Sequence, residues 1–337
     1  MEPRGVGMPE PIVQPQPQAP PHPYTQQMQS PLQAPQPYPY PYPYPQPVAP
    51  PPSKPDGIVI RLWRAAYPVL VVLGVQALAG VVLAAVLLAD PMTSAFANVY
   101  DMSWFLLMGA VASQVVAAPF LIAFRIMDSN RLRAKGTWKT YRLPGFGKLV
   151  VCLILGIAMA MLALCVFELV GYGDDGTQAH LFSMNPVAAV LVIGLIGPAI
   201  EELTFRVLLF GRLREWMSPI SAGLLSALVF TLAHGNVTQG ITAFFYGLAL
   251  ALVYERYKTF WAPFLLHAGI NSTVVLTAVA GRSFIVLLPG PGLLLMALAC
   301  LAIVVGLAVF VFRSAPAKEK DAVETGSQAS SAPYPSN

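Results

Sequence analysis

Glu201 and Glu202 stand side by side in the run Pro198-Ala199-Ile200-Glu201-Glu202-Leu203-Thr204-Phe205-Arg206. A charged side chain at bilayer depth costs at least ~2.5 kcal/mol on insertion scales, so charges retained inside an apolar run are functional suspects. On a helix, Glu202 and Arg206 are four residues apart and share a face, so they can pair. Glu201 lies about 100° round the axis, away from that partner. A carboxylate so placed suits proton transfer to and from a water molecule. The other reading is a salt-bridged helix end at the membrane surface, for which two adjacent glutamates in an apolar span are a poor packing solution.

Two of the four histidines add to this chemistry. Phe230 and His234 close one apolar run, and His267 and Asn271 open another; each pair is four apart and shares a helix face. A lone histidine in a span is more often an interhelical hydrogen-bonding residue than a catalyst, but two of them with a glutamate pair point to a site. His22 and His180 lie in polar segments and are set aside. Glu202 precedes Ser218 by 16 residues and His234 follows it by 16, so a helical hairpin turning at Ser218-Pro219 brings both to one depth. His267 is expected nearer the basic end, and a cavity reached from that side is expected to lead to the cluster.

The elements that must hold these groups are membrane helices. Of the 337 residues 56% are hydrophobic and 11% charged, against roughly 25% charged in soluble domains. The predicted fold class is an all-α polytopic membrane protein of about eight transmembrane helices, near 65–89, 104–126, 148–171, 187–209, 218–235, 237–255, 261–280 and 290–312, since helices close their backbone hydrogen bonds within each span. Residues 1–55 hold 20 of the 33 prolines and nine glutamines, which predicts a disordered Pro/Tyr/Gln-rich arm. It serves either as a flexible tail or as a docking arm for a proline-recognising partner, and it lacks the apolar core of a secretory signal. The expected organisation is the arm at 1–55, two helices and a basic loop at 56–144, the chemistry-bearing domain at 145–312, and a disordered tail at 313–337.

Grouping alternate connections places 18 of the 20 lysines and arginines on one side of the membrane and one on the other, with Arg4 in the arm. The positive-inside rule makes that side cytoplasmic, with both termini on it, in the plasma membrane. No basic stretch is interleaved with aromatics, so nucleic acid is not an expected partner. Cys152, Cys165 and Cys300 lie singly in apolar runs and read as packing residues.

In this order, E-E-x-x-x-R (Glu201, Glu202, Arg206), F-x-x-x-H (Phe230, His234) and H-x-x-x-N (His267, Asn271) resemble the type II CAAX prenyl endopeptidase family, also called the CAAX protease and bacteriocin-processing or Abi family. The resemblance spans roughly residues 145–312. It implies an intramembrane endopeptidase acting on a membrane-associated protein or peptide, with Glu201 activating water and Glu202 with Arg206 holding the electrostatics. His234 would orient, His267 and Asn271 would stabilise the oxyanion, and Phe230 would contact substrate. Glu201, His234 and His267 also supply three ligands for one divalent metal such as zinc, leaving a position for water; a metal-free glutamate mechanism uses the same residues. Val207 stands where many relatives have glycine, and Ser272 where a second asparagine is frequent.

The rival reading is a catalytically silent membrane scaffold, immunity factor or chaperone on the same fold, recruited through the arm. An aspartyl intramembrane protease is disfavoured because Tyr100-Asp101 and Gly171-Tyr172-Gly173-Asp174 fall in polar connections and no Pro-Ala-Leu element exists. No span holds a G-x-S-x element for a rhomboid-like serine protease, and no paired broken helices suggest a transporter.

Overall fold

The computed structural model describes residues 56–89, 102–171, 185–235, 237–279 and 288–319. The arm, Tyr100-Asp101, Asp174, Asp175, His180 and residues 320–337 lie outside them. Among the described residues eight helices follow one another: α1 (Ile58–Ala89), α2 (Met102–Ala134), α3 (Phe146–Leu169), α4 (Pro186–Leu213), α5 (Pro219–Ala233), α6 (Val237–Tyr257), α7 (Trp261–Val279) and α8 (Gly290–Arg313). Among the described residues the only β pairing is an isolated bridge between Tyr141 and Glu319.

Five of the eight, α1 to α4 and α8, are long and apolar enough to cross a bilayer unaided. All eight expected helices are present among the described residues, and the other three fall short of that length or hydropathy. At 15 residues α5 covers about 22 Å, short of the ~30 Å hydrocarbon core, while α6 and α7 carry the polar groups that dilute their hydropathy. The protein is a multi-pass membrane protein.

Proline placement explains local detail. Pro219 occupies the first turn of α5, where no backbone N–H is needed. Ser218 caps that helix, its Oγ accepting from Ser221 N at 3.1 Å. Pro198 does not end its helix. Val190–Ile196 and Leu203–Phe210 are π-helical, and the six α-helical residues Gly197–Glu202 lie between them. A mid-helix proline lacks a donor and crowds the carbonyl four residues back; the wider π turn before it accommodates both defects without breaking the rod. Pro68 and Pro119 sit inside α1 and α2.

The helix that carries the glutamates is clamped from two sides. Phe205, Leu209, Phe210 and Leu213 of α4 share a buried cluster with Ala65 and Val69 of α1, Phe230 of α5 and Ala251 of α6. Ile200 and Leu208 of α4 pack with Val72 of α1 and with Ala117 and Leu121 of α2. Arg212, one of the 18 basic residues grouped on one side, is buried. Its Nε donates to Asp128 of α2 at 2.8 Å, Nη2 to the Tyr67 hydroxyl at 3.1 Å, and Nη1 to the Arg64 carbonyl. This network ties one end of α4 to both N-terminal helices.

α7 is held by α3 at backbone range. A Cβ built on Gly156 would stand 2.0 Å from the Leu266 carbonyl oxygen, and one on Gly269 would stand 2.6 Å from that of Leu153. Helix association in lipid relies on such small-residue contacts. Gly156→Ala is therefore expected to force α3 and α7 apart, costing about 1–3 kcal/mol, and to lower activity because α7 carries His267 and Asn271. Thermal unfolding in detergent beside Gly147→Ala, whose new methyl meets nothing within 4 Å, checks this; equal melting of both variants would remove the close contact from the argument.

The segment after α8 also departs from expectation. Residues 314–319 fall within the expected disordered tail, yet Ala317 N donates to Arg256 O at 3.0 Å and Lys318 O accepts from Arg142 N at 2.9 Å. Lys139 and Glu319 pair at 2.9 Å, and that carboxylate raises the Lys139 ammonium above its ordinary range.

Candidate active site

The three motifs meet. The sharpest contact joins α7 to α4, where His267 Nδ1 lies 2.7 Å from Glu202 Oε1. A carboxylate only accepts, so Nδ1–H donates and Nε2 is left facing outward from that bond. There it stands 3.7 Å from Glu201 Oε2, beyond direct hydrogen-bond range. One imidazole is thus bracketed by both glutamates.

Burial separates the two carboxylates. Glu202 is 0% exposed and Glu201 keeps 28% of its side chain accessible. Arg206, 0% exposed, places Nη1 3.2 Å from Glu202 Oε1, the i,i+4 pair read from the sequence. Among the described residues no hydrogen bond reaches its Nε, Nη1 or Nη2. Its guanidinium instead lies over the Phe230 ring, 4.2 Å from the centroid, where the ring's negative face attracts it. Two glutamates and one arginine leave this pocket one formal negative charge in excess when His267 is neutral, which suits a site that must accept a proton.

Phe230 is the hub. It is 1% exposed, and its ring packs edge-on against His234 at 4.6 Å, Phe205 at 5.0 Å and His267 at 5.8 Å. The sequence reading gave it to substrate contact; at this burial its surface is spent on holding both imidazoles and the Arg206 guanidinium. Phe205 escaped the sequence reading. Its carbonyl also accepts from Ser226 Oγ of α5 at 3.0 Å, locking α5 to the π-helical stretch.

His234 occupies the C-cap of α5, with Gly235 behind it at φ +64°, the left-handed position that glycine fills without strain. Its Nδ1 donates to the Phe230 carbonyl at 2.8 Å, freeing Nε2. Asn271 donates from Nδ2 to the Ile193 carbonyl at 3.0 Å. That bond spends one of its two amide hydrogens on anchoring α7 to the first π-helical stretch and leaves the second for an oxyanion. Nearby, a Cβ on Gly194 would stand 2.6 Å from Ser272 Oγ, so Gly194 permits the close passage of α7.

Among the described residues no group of three or more His, Cys, Asp or Glu side chains is placed to hold an ion. His267 Nδ1 is committed to Glu202 and His234 Nδ1 to a carbonyl, which leaves the Nε2 atom of each imidazole free. A cavity at the basic end is lined by Val207, Phe210 and Gly211 of α4 and by none of the candidate catalytic side chains.

Comparison with known proteins bears out the resemblance. Residues 183–273, the segment that carries all three motifs, match the family described as type II CAAX prenyl endopeptidase Rce1-like. The chain is 24% identical over 213 residues to "Putative membrane peptidase YdiL" of Bacillus subtilis (strain 168), covering 51% of this chain and 87% of the relative. It is 27% identical over 137 residues to "Membrane-embedded CAAX protease MroQ" of Staphylococcus aureus (strain USA300), covering 36% of this chain and 56% of that relative. No solved structure matches.

Proposed function

We propose that the protein is an intramembrane endopeptidase that hydrolyses a peptide bond of a membrane-associated protein or peptide by glutamate-activated water. The observation that carries this reading is the bracketed imidazole, with Glu202 at 2.7 Å on Nδ1 and Glu201 at 3.7 Å from Nε2. Glu201 Oε2 is buried with no hydrogen-bond partner among the described residues, and a water admitted with substrate would bond to it and to His267 Nε2. Glu201, the more exposed carboxylate, takes the proton as the water attacks the scissile carbonyl. Glu202, pinned by Arg206, fixes the orientation of His267. The second amide hydrogen of Asn271 and the free side of His234 then face the developing oxyanion and the departing amine. Glu201 returns its proton to the amine, so the cycle closes without a covalent intermediate. Both termini are assigned to the cytoplasmic side, which carries the lysine and arginine excess.

The test is cleavage of peptide substrates by the purified full-length protein in liposomes, with products identified by mass. Addition of a zinc chelator is the second arm. The expected result is hydrolysis that persists in chelator. Loss in chelator with recovery on adding zinc would overturn the metal-free mechanism. Complete absence of cleavage with every substrate class, prenylated peptides included, would favour the silent scaffold.

A further inference from the structure

Six cations converge on the basic end of the bundle for reasons that the hydrolytic site does not supply. A cavity of about 510 Å³ opens there among the ends of α2, α4 and α6 and the connection after α2. Arg125, Lys135, Lys139, Arg212, Arg214 and Lys258 line it, against two carboxylates, Asp128 and Glu215. The neighbouring ion pairs reduce the excess without cancelling it. Lys135 pairs with Asp56 at 3.5 Å and Lys139 with Glu319 at 2.9 Å, while Asp128 is shared by Arg131 at 3.2 Å and Arg212 at 2.8 Å, and Glu255 by Arg214 at 3.0 Å and Lys258 at 2.7 Å.

Arg125 is not paired with a carboxylate among the described residues. Its guanidinium lies 4.6 Å from the Trp138 ring, which also takes Arg133 at 5.4 Å. Two guanidinium groups over one indole repel each other unless an anion stands nearby. The Trp138 Nε1 donor is itself buried with no partner among the described residues. Lys258 adds a backbone argument. It terminates α6 at φ +48°, a left-handed position that favours glycine. A lysine stands there and turns its charge to the cavity wall.

We propose that this cavity binds a phosphate group, the headgroup phosphate of an anionic lipid or free inorganic phosphate. Arginine forks match phosphate oxygens in paired hydrogen bonds, and basic pockets between helices near the bilayer surface suit anionic headgroups. The cavity volume falls within the range of small-ligand sites. Val207, Phe210 and Gly211 of α4 form part of its wall, so the bound anion touches the helix that carries Glu201 and Glu202. The proposal stands independently of the hydrolase reading.

Binding to the purified full-length protein in detergent tests it, read by tryptophan fluorescence with Trp138→Phe as the control for the reporter. The probes are inorganic phosphate, dihexanoyl phosphatidic acid and dihexanoyl phosphatidylcholine. The expected result is saturable quenching by phosphatidic acid, at least tenfold weaker response to phosphatidylcholine, and at least fivefold weaker affinity in Arg125→Ala and in Lys258→Gly. Lys258→Gly relieves the left-handed residue, so its melting temperature should hold or rise while affinity falls; misfolding then cannot explain the loss. Arg313→Ala, outside the cavity, should bind as wild type does. Tighter binding of phosphatidic acid than of phosphate assigns the site to a lipid headgroup, and comparable binding assigns it to the free anion. Binding of neither probe, binding unchanged in both cavity variants, or saturation by an acidic peptide but not by phosphate would overturn the proposal.

Discussion

Glu201→Gln is expected to lower kcat for peptide hydrolysis by about 10²–10⁴-fold, the range that a positioned general base contributes, while the protein stays folded. Glutamine keeps the size and the hydrogen-bonding reach of the side chain and removes its ability to take a proton. The retained fold follows from the surroundings: the Glu201 side chain is 28% exposed and the His267 imidazole nitrogen beside it is 3.7 Å away, beyond direct hydrogen-bond range. The readouts are kcat with a cleaved peptide and the melting temperature in the same detergent. A kcat within tenfold of wild type would remove Glu201 from the chemistry. A fall in kcat with an equal fall in melting temperature would make it a structural residue.

The second large effect separates the two adjacent glutamates. Glu202→Ala is expected to destabilise the protein by about 3–5 kcal/mol, because it strands Arg206 as an unpaired charge in a dry interior. Arg206 is 0% exposed, and its other described contact is the face of Phe230 at 4.2 Å. A ring quadrupole does not replace a carboxylate. Removing both charges together in Glu202→Ala/Arg206→Met should recover much of that stability, since an apolar replacement for a buried pair is often neutral. Activity should stay lost in the double variant, because His267 Nδ1 no longer has a carboxylate to hold its ring. The order to be measured is wild type, then double, then single variant in melting temperature. A single variant as stable as wild type would mean that Arg206 reaches water.

These contrasting expectations show how unequally the site could be read from residue types. Each motif is a spacing on one helix: Glu202 with Arg206, Phe230 with His234, His267 with Asn271. A helix places residues four apart on one face whatever surrounds it, so those pairings were legible. Which member does what was not. Phe230 looked like a surface for substrate, and three neighbouring helices bury it. Asn271 looked like a pure oxyanion donor, and a π-helical carbonyl at Ile193 claims one of its hydrogens. Arg212 counted only toward the topology, and Asp128, 84 residues earlier, holds it in a buried ion pair. Each departure depends on a partner far along the chain, which no local pattern encodes.

The sequence by itself determined the class of protein and the place of its chemistry. Hydropathy runs set the helices, because a backbone in lipid must satisfy its own hydrogen bonds, and scarce charges stood out against that background. Tertiary structure alone decided the rest. It placed His267 between two glutamates through the α3–α7 approach at Gly156 and Gly269, where helix backbones meet only because no Cβ intervenes. It set Pro198 in a short α-helical stretch between two π-helical ones, so that the helix continues past it. It left α5 too short to span unaided, since length fixes rise but neighbours decide whether a short helix is covered.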